Sequence, residues 1–292
     1  MNLYTQQDSN IRKSWLIIIF FITFVSVIGW VLSYLYSASW IFYVAVGIAI
    51  VQSIFAYYKS DQIALRSSGA VPADPQEYRD LHNMVENLAI TAGLPKPRVY
   101  IINDSSPNAF ATGRDPEHSA VAVTSGLLSV LDRTELEGVL AHELAHIGNR
   151  DILIATIVVV LVGVLTMIVD MIWRISFSSA GENRHPAIFI IGLVAIILSP
   201  FIGMMIQAAV SRRREYVADA TGALLTRYPQ GLANALRKIS ENPRPLRKAS
   251  SATAHMFIAN PFGRGTMSKL KNLFSTHPPV DKRIQNLTGM EK

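Results

Sequence analysis

The sequence predicts an α-helical integral membrane protein with four transmembrane helices and an α+β cytoplasmic domain, mainly α with a small β-sheet. Three observations point there. Of the 292 residues, 50% are hydrophobic and only 16% are charged, which is apolar for a soluble chain. Four blocks of membrane-spanning length carry almost no charge. The polar segments beside them mix helical and strand patterns.

The blocks come in two pairs. Residues 15–36 (WLIIIFFITFVSVIGWVLSYLY) and 38–58 contain no charge, residues 152–173 contain only Asp170, and residues 187–210 contain none. Each reaches the roughly 20 residues that a helix needs to cross about 30 Å of hydrocarbon. Trp15, Trp40, Tyr57, Tyr58 and Trp173 fall near block ends, as in an aromatic belt. One such block alone is compatible with a buried core helix, but four together favour spans. The first is too long for the apolar region of a signal peptide, and no small-residue cleavage site follows it. The chain then divides into a tail and hairpin (1–59), a polar segment (60–151), a second hairpin (152–210) and a second polar segment (211–292).

With four spans, both termini and both polar segments share one side. Arg12, Lys13, Lys59, Arg66, Arg150, Arg212, Arg213 and Arg214 flank the spans there, against Arg174 and Arg184 opposite. That bias marks the cytoplasmic side. The net charge of +6 and pI of about 9.5 read as charge lining this membrane face, and no nucleic-acid partner is expected.

In the first polar segment, Tyr78, Leu81, Val85 and Leu88 follow Pro75 at helical spacing; Gly93, Pro95 and Pro97 stop that helix. Residues 98–102 (RVYII), 108–112 (NAFAT) and 120–124 (AVAVT) read as strands, the last two joined by a hairpin loop through Gly113. DRTELEGVLAHELAH follows, and Thr134 with Glu137 suggests a capping box at its start. In the second segment, SRRREYVADATGALL is expected to continue helically out of the fourth block. Residues 269–274 (KLKNLF) suggest a short basic helix, and Pro278 and Pro279 begin a last one.

The chemistry lies in HELAHIGNRDILIATIVVV, which begins at His142. Four residues turn a helix by about 400°, so His142 and His146 share a face. Both ring nitrogens can then reach one Zn²⁺ at about 2.0–2.1 Å. Glu143 lies on the adjoining stripe, where a general base can reach water beside the metal without ligating it. The chain has no cysteine, so a metal site must use histidines and carboxylates. A third protein ligand is needed, and Glu215 is the candidate. It follows the fourth block as His146 precedes the third, so an antiparallel helix pair brings them together. Asp219, one turn further on, can accept the second ring N–H of His142. Taken alone, Glu215 and Asp219 read equally well as a solvated acidic pair beside three arginines. From His146 to Ile152 is about 9 Å of rise if helical throughout. The stretch therefore reads as one element that is both metal site and anchor.

HELAH, a span, a short loop, a second span and EYVAD together resemble the HtpX-like membrane zinc metalloproteases, which belong with the gluzincins. NAFATG at 108–113 resembles that family's substrate-binding edge strand. TAHMFIANP at 253–261 and STHPP at 275–279 resemble its C-terminal motifs. The order and spacing cover nearly the whole chain. The resemblance implies a zincin-like protease domain and one zinc per chain, with a glutamate from a second helix as third ligand. It also implies proteolysis of damaged or misassembled membrane proteins at the cytoplasmic face of a bacterial inner membrane. Expected partners are the lipid bilayer and membrane-protein or unfolded polypeptide substrates.

Beside the resemblance, the accessory residues have physical readings of their own. An exposed edge at Asn108, Ala109, Phe110 and Ala111 can pair a substrate backbone as an added strand. His277, held before two prolines, can donate a hydrogen bond to the oxyanion of a tetrahedral intermediate. Arg283 either anchors that turn through a carboxylate or is solvated. His255 matches a family position but suggests no mechanism, and His82, His118 and His185 read as ordinary surface residues. Three rival functions remain weaker. A protease of prenylated C-terminal tails is expected to have more spans. A catalytically silent membrane scaffold need not keep a complete catalytic set. A transporter needs more ionisable groups within its spans than Asp170.

Overall fold

The computed structural model describes residues 3–35, 37–178, 211–250, 252–263 and 278–291. Helices α1 (Leu3–Leu35) and α2 (Trp40–Ser68) form a hairpin, turned at Ser37 with φ 48°. Both contain stretches long and apolar enough to cross a membrane. Leu16, Ile19, Trp30, Ile48 and Val51 stand exposed on them, a surface suited to lipid rather than water. Trp15 stacks on Tyr57 with ring centroids 5.7 Å apart, tying the two helices together near their polar ends. α1 begins well before the apolar block, so its first turns lie among polar parts of the chain.

Among the described residues, α5 (Arg133–Gly148) and the stretch Asp151–Thr166 of α6 (Asp151–Ser178) together meet the same length and composition, across an 83° bend. The expected single element from HELAH into the span is therefore two helices. Asn149 caps the first, and Arg150 adopts a left-handed φ of 56°. A non-glycine residue in that region costs about 1–2 kcal/mol and persists only where neighbours hold it. The fourth block, residues 187–210, lies outside the described residues.

Four strands, β1 (Ala70–Pro72), β2 (Arg98–Ile102), β3 (Ala109–Gly113) and β4 (Ser119–Thr124), form one sheet in the order β1-β2-β4-β3. β2 and β4 run parallel; the outer pairs are antiparallel. Strand alternation sorts the side chains into two cores. Val99, Ile101, Ala109, Ala111, Val121 and Val123 face α5 and α3 (Arg79–Ala92). Tyr100, Phe110, Ala120 and Ala122 face Ala64 and Leu65 of α2 and Val159 of α6. Every residue of β3 and β4 is buried, because the sheet is covered on both sides. β1 and α4 (Ser125–Val130) add to the expected elements.

Two boundaries differ from expectation. The capping box of α5 is Asp132 with Glu135, not Thr134 with Glu137. Asp132 is the last extended residue, and the Thr134 hydroxyl donates to its carboxylate at 2.7 Å. α7 (Arg212–Thr226) does not continue from a preceding helix: Ser211 is extended with φ −140°, and Glu215 falls in the first turn of a new helix. α8 (Pro229–Glu241) follows. α9 (Val280–Thr288) begins after Pro279, as the prolines suggest. Residues 269–274 lie outside the described residues.

α5 is the central helix, with most of its side chains buried. Two glycines let its neighbours approach. A Cβ on Gly222 of α7 would lie 3.0 Å from the His142 nitrogen, and one on Gly138 would lie 2.6 Å from the Leu232 nitrogen of α8. Backbone atoms cannot rotate away as a side chain can. Gly138→Ala is therefore expected to destabilise the fold by about 1–3 kcal/mol, read as a lower midpoint of thermal unfolding. Gly163→Ala, whose added carbon meets nothing within 4 Å, is the control. An unchanged midpoint for Gly138→Ala would show that α5 and α8 part freely.

Candidate active site

α5 presents His142 and His146 one turn apart, and their Nε2 atoms lie 3.2 Å from each other. Each ring is held from behind. His142 Nδ1 lies 3.0 Å from Asp219 Oδ1, and His146 Nδ1 lies 3.1 Å from Asp151 Oδ2. A carboxylate accepts from Nδ1–H, so each Nε2 presents a lone pair. Glu215 enters from α7, with Oε2 3.8 Å from His142 Nε2 and Oε1 3.6 Å from His146 Nε2. Donor atoms from these three residues all lie within 4.8 Å of one another.

The arrangement suits a tetrahedral cation. Two nitrogens about 2.0–2.1 Å from such an ion stand about 3.3–3.4 Å apart, close to the observed 3.2 Å. The glutamate oxygens need to close by only a few tenths of an ångström. Two neutral imidazoles and one carboxylate form the nitrogen and oxygen set that zinc accepts with an open fourth position. The residues present therefore fit zinc.

Asp219 is locked in turn. Arg283 of α9, 1% exposed, donates from Nε at 2.9 Å and from Nη2 at 2.7 Å to its two oxygens. Arg283 is thus paired with a carboxylate rather than solvated, while the turn at His277 that it was expected to anchor lies outside the described residues. A buried guanidinium without such a partner is strongly unfavourable.

The charge balance is uneven. Burial pushes the His142 imidazole down to about 4, aided by the Arg283 and His146 charges and opposed by Asp219. Burial also opposes charging His146, but the Asp151 hydrogen bond and the Glu215, Asp151 and Glu143 carboxylates outweigh it and lift His146 to about 9. For Asp219, burial favours the neutral acid, yet Arg283 and the His142 hydrogen bond hold it down at about 2.

A cleft of about 530 Å³, open mouth included, reaches these groups, and Glu143 and Ala111 line it. Glu143 is 2% exposed and sits between the two histidines in sequence. The edge strand differs from expectation. β3 is the outermost strand, but Asn108, Ala109, Phe110 and Ala111 are all buried, not exposed. The chain near Ile258 runs beside them: Ile258 N donates to Ala109 O at 3.0 Å. The Asn108 side chain donates to Ala259 O at 3.0 Å and accepts from Ala259 N at 3.2 Å. Phe257 packs edge-on to Phe110. At the other end, Gly113 N donates to the Thr156 hydroxyl at 3.3 Å. Between these two ends, Ala111 faces the cleft.

Two residues of the cleft wall carried no role in the sequence reading. His255 sits in a short 3₁₀ turn with its Nε2 3.0 Å from Ala155 O. Asp151, the support of His146, opens α6; its acidic letter at the edge of an apolar block was the available signal. His277 and His185 lie outside the described residues. His118 is exposed, while His82 is half-buried with Nε2 3.1 Å from Ala73 O.

Comparison with known proteins agrees with this geometry. Residues 75–291 match the model of peptidase family M48. That span includes His142, Glu143, His146, Glu215, Asp219 and Arg283. A protease HtpX homolog of Thermoanaerobacter pseudethanolicus is 46% identical, covering 99% of this chain and 98% of its own length. One from Pyrococcus furiosus is 49% identical over 84% of each chain. The crystal structure of Ste24p from S. mikatae is 18% identical and superimposes with a TM-score of 0.51, covering 97% of this chain and 67% of that one. That last likeness is one of fold. A match running through the site residues, and relatives aligned across the membrane helices, lead to one conclusion: the chain is a membrane-bound metalloprotease of peptidase family M48.

Proposed function

We propose that the protein is a zinc-dependent endopeptidase that cleaves damaged or misfolded membrane proteins at the cytoplasmic face of a bacterial inner membrane. Four spans, cytoplasmic termini and one zinc per chain complete the reading. One observation carries the metal chemistry: two Nε2 atoms 3.2 Å apart, each ring backed by a carboxylate, with Glu215 3.6 and 3.8 Å away. His142, His146 and Glu215 would hold the ion. Bound zinc supplies a Lewis acid that polarises the scissile carbonyl and acidifies water.

The chain's own groups do the rest. The Glu143 carboxylate takes the proton of the attacking water and passes it to the leaving amine. Asp219 keeps the His142 Nδ1 proton in place, and Arg283 keeps Asp219 ionised. Ala111, the part of β3 that faces the cleft, aligns the substrate backbone; Asn108, Ala109 and Phe110, which precede it, support it. His277 donates a hydrogen bond to the developing oxyanion. The membrane setting suits this role, because a cleft held at the end of two apolar helices meets chains at the membrane face first.

Glu143→Gln keeps the ligands and removes the base. It is expected to retain zinc and lose about 10²–10⁴-fold in casein cleavage; equal activity would remove Glu143 from the mechanism. Glu215→Ala is expected to lower zinc content by metal analysis, and undiminished content would mean another third ligand.

The histidine balance predicts how zinc binding depends on pH. His142 is neutral at pH 7, whereas metal-free His146, lifted to about 9, is protonated there. A ligand must be neutral, so zinc displaces the His146 proton. Apparent affinity should rise by about tenfold per pH unit between pH 6 and 8. Calorimetry in buffers of different ionisation heat should find about one proton released per zinc at pH 7. Binding with no proton release would contradict this charge balance.

A further inference from the structure

The start of α1 carries a polar stripe that a membrane anchor does not need. Gln7, Asn10 and Ser14 stand three and four residues apart, on one helix face. The same face continues as Ile17, Ile18 and Phe21, which share a buried cluster with Leu153, Ile154 and Ile157 of α6. One stripe of α1 thus follows α6 along its length and turns polar where α6 meets α5.

That junction holds the support of His146. Asn10 is 1% exposed. Its Nδ2 donates to Asp151 Oδ1 at 2.7 Å and to Asn149 O at 2.9 Å. The other oxygen of Asp151 holds His146 Nδ1 at 3.1 Å. Gln7 Nε2 donates to Gly148 O at 2.6 Å. α1 therefore grips both sides of the 83° bend, including two carbonyls that the end of α5 leaves without a helical partner. The bend is also what returns Asp151 to His146. Arg214 Nη1 lies 3.6 Å from the same Asp151 oxygen, an ion pair but longer than a hydrogen bond. Asn10 supplies the close contact.

We infer that Asn10 is a positioning residue of the metal centre, acting on His146 through Asp151, and that α1 is part of the metal site as well as an anchor. The inference rests on His146 being a zinc ligand. An amide suits this place. It aims the carboxylate without cancelling its charge, so Asp151 still strengthens His146 as a ligand. A lysine there would orient Asp151 but weaken that effect.

The test uses the full chain in detergent, with zinc affinity measured against a competing chelator and casein cleavage followed in parallel. Asp151→Ala is expected to weaken zinc binding about 10–100-fold. Asn10→Leu, which keeps the branched shape and removes the donor, is expected to weaken it about tenfold; if the larger leucine does not pack, Asn10→Ala gives the same readout. Added to Asp151→Ala, the Asn10 change should have no further effect on zinc affinity, because it acts through Asp151. Gln7→Ala loosens the grip on Gly148 without touching Asp151 and should weaken zinc binding less than Asn10→Ala does. Parent affinity in the Asn10 variants, additive losses in the double variant, or an equal loss in Gln7→Ala would each overturn the inference. A parent chain that binds no zinc overturns the proposed function instead, which separates the two failures.

Discussion

Two hydrogen bonds, from the Nδ1 atoms of His142 and His146 to Asp219 and Asp151, are what the site depends on. With those protons committed, both Nε2 lone pairs point at one spot. Two lone pairs 3.2 Å apart repel each other in a buried setting unless a proton or a cation lies between them. In the metal-free chain at pH 7 the proton on His146 fills that place, and a bound metal ion would displace it. The two supports are unlike. Asp219 is neutralised by Arg283, so the His142 side carries little net charge. Asp151 has its arginine, Arg214, farther off at 3.6 Å, and its neighbour His146 is the more basic ring.

Helix packing turns these local bonds into a rigid site. α7 can lie against α5 because Gly222 leaves its backbone bare opposite His142. Glu215 sits in the first turn of α7 because the helix starts directly after Ser211, which is extended. The sheet contributes Ala111 from the other side, backed by a second layer that includes parts of α2 and α6. The catalytic cleft thus lies between a soluble-type core and the polar ends of the membrane helices. A change in how those helices stand reaches the cleft through the sheet.

Much of this was legible in the letters. HELAH, with its histidines one turn apart, and EYVAD, with Glu215 and Asp219 one turn apart, are each short-range patterns, and short-range patterns survive folding. The strands at 98–102 and 120–124 were equally local. What escaped was set by tertiary context. Asp151 was unreadable as a support because nothing local announces that Arg150 adopts a left-handed φ. Asn10 lies 141 residues from its partner Asp151. The edge at Asn108 looked exposed because the segment that covers it arrives 151 residues later. The capping box was misplaced because Asp132-Glu135 and Thr134-Glu137 share one spacing, and only the backbone at Asp132 decides between them.

These sequence separations have a consequence in time. A ribosome adds about 5–20 residues per second. His142 emerges long before Arg283, the residue 141 positions on that secures its carboxylate, and before Ala259, which closes over Asn108. For much of its synthesis the chain holds both histidines and the base but not the frame that aligns them. Loop-closure entropy opposes early pairing over such distances. A hydrolase whose buried supporting arginine lies in its last α-helix completes the frame of its site only at the end of synthesis.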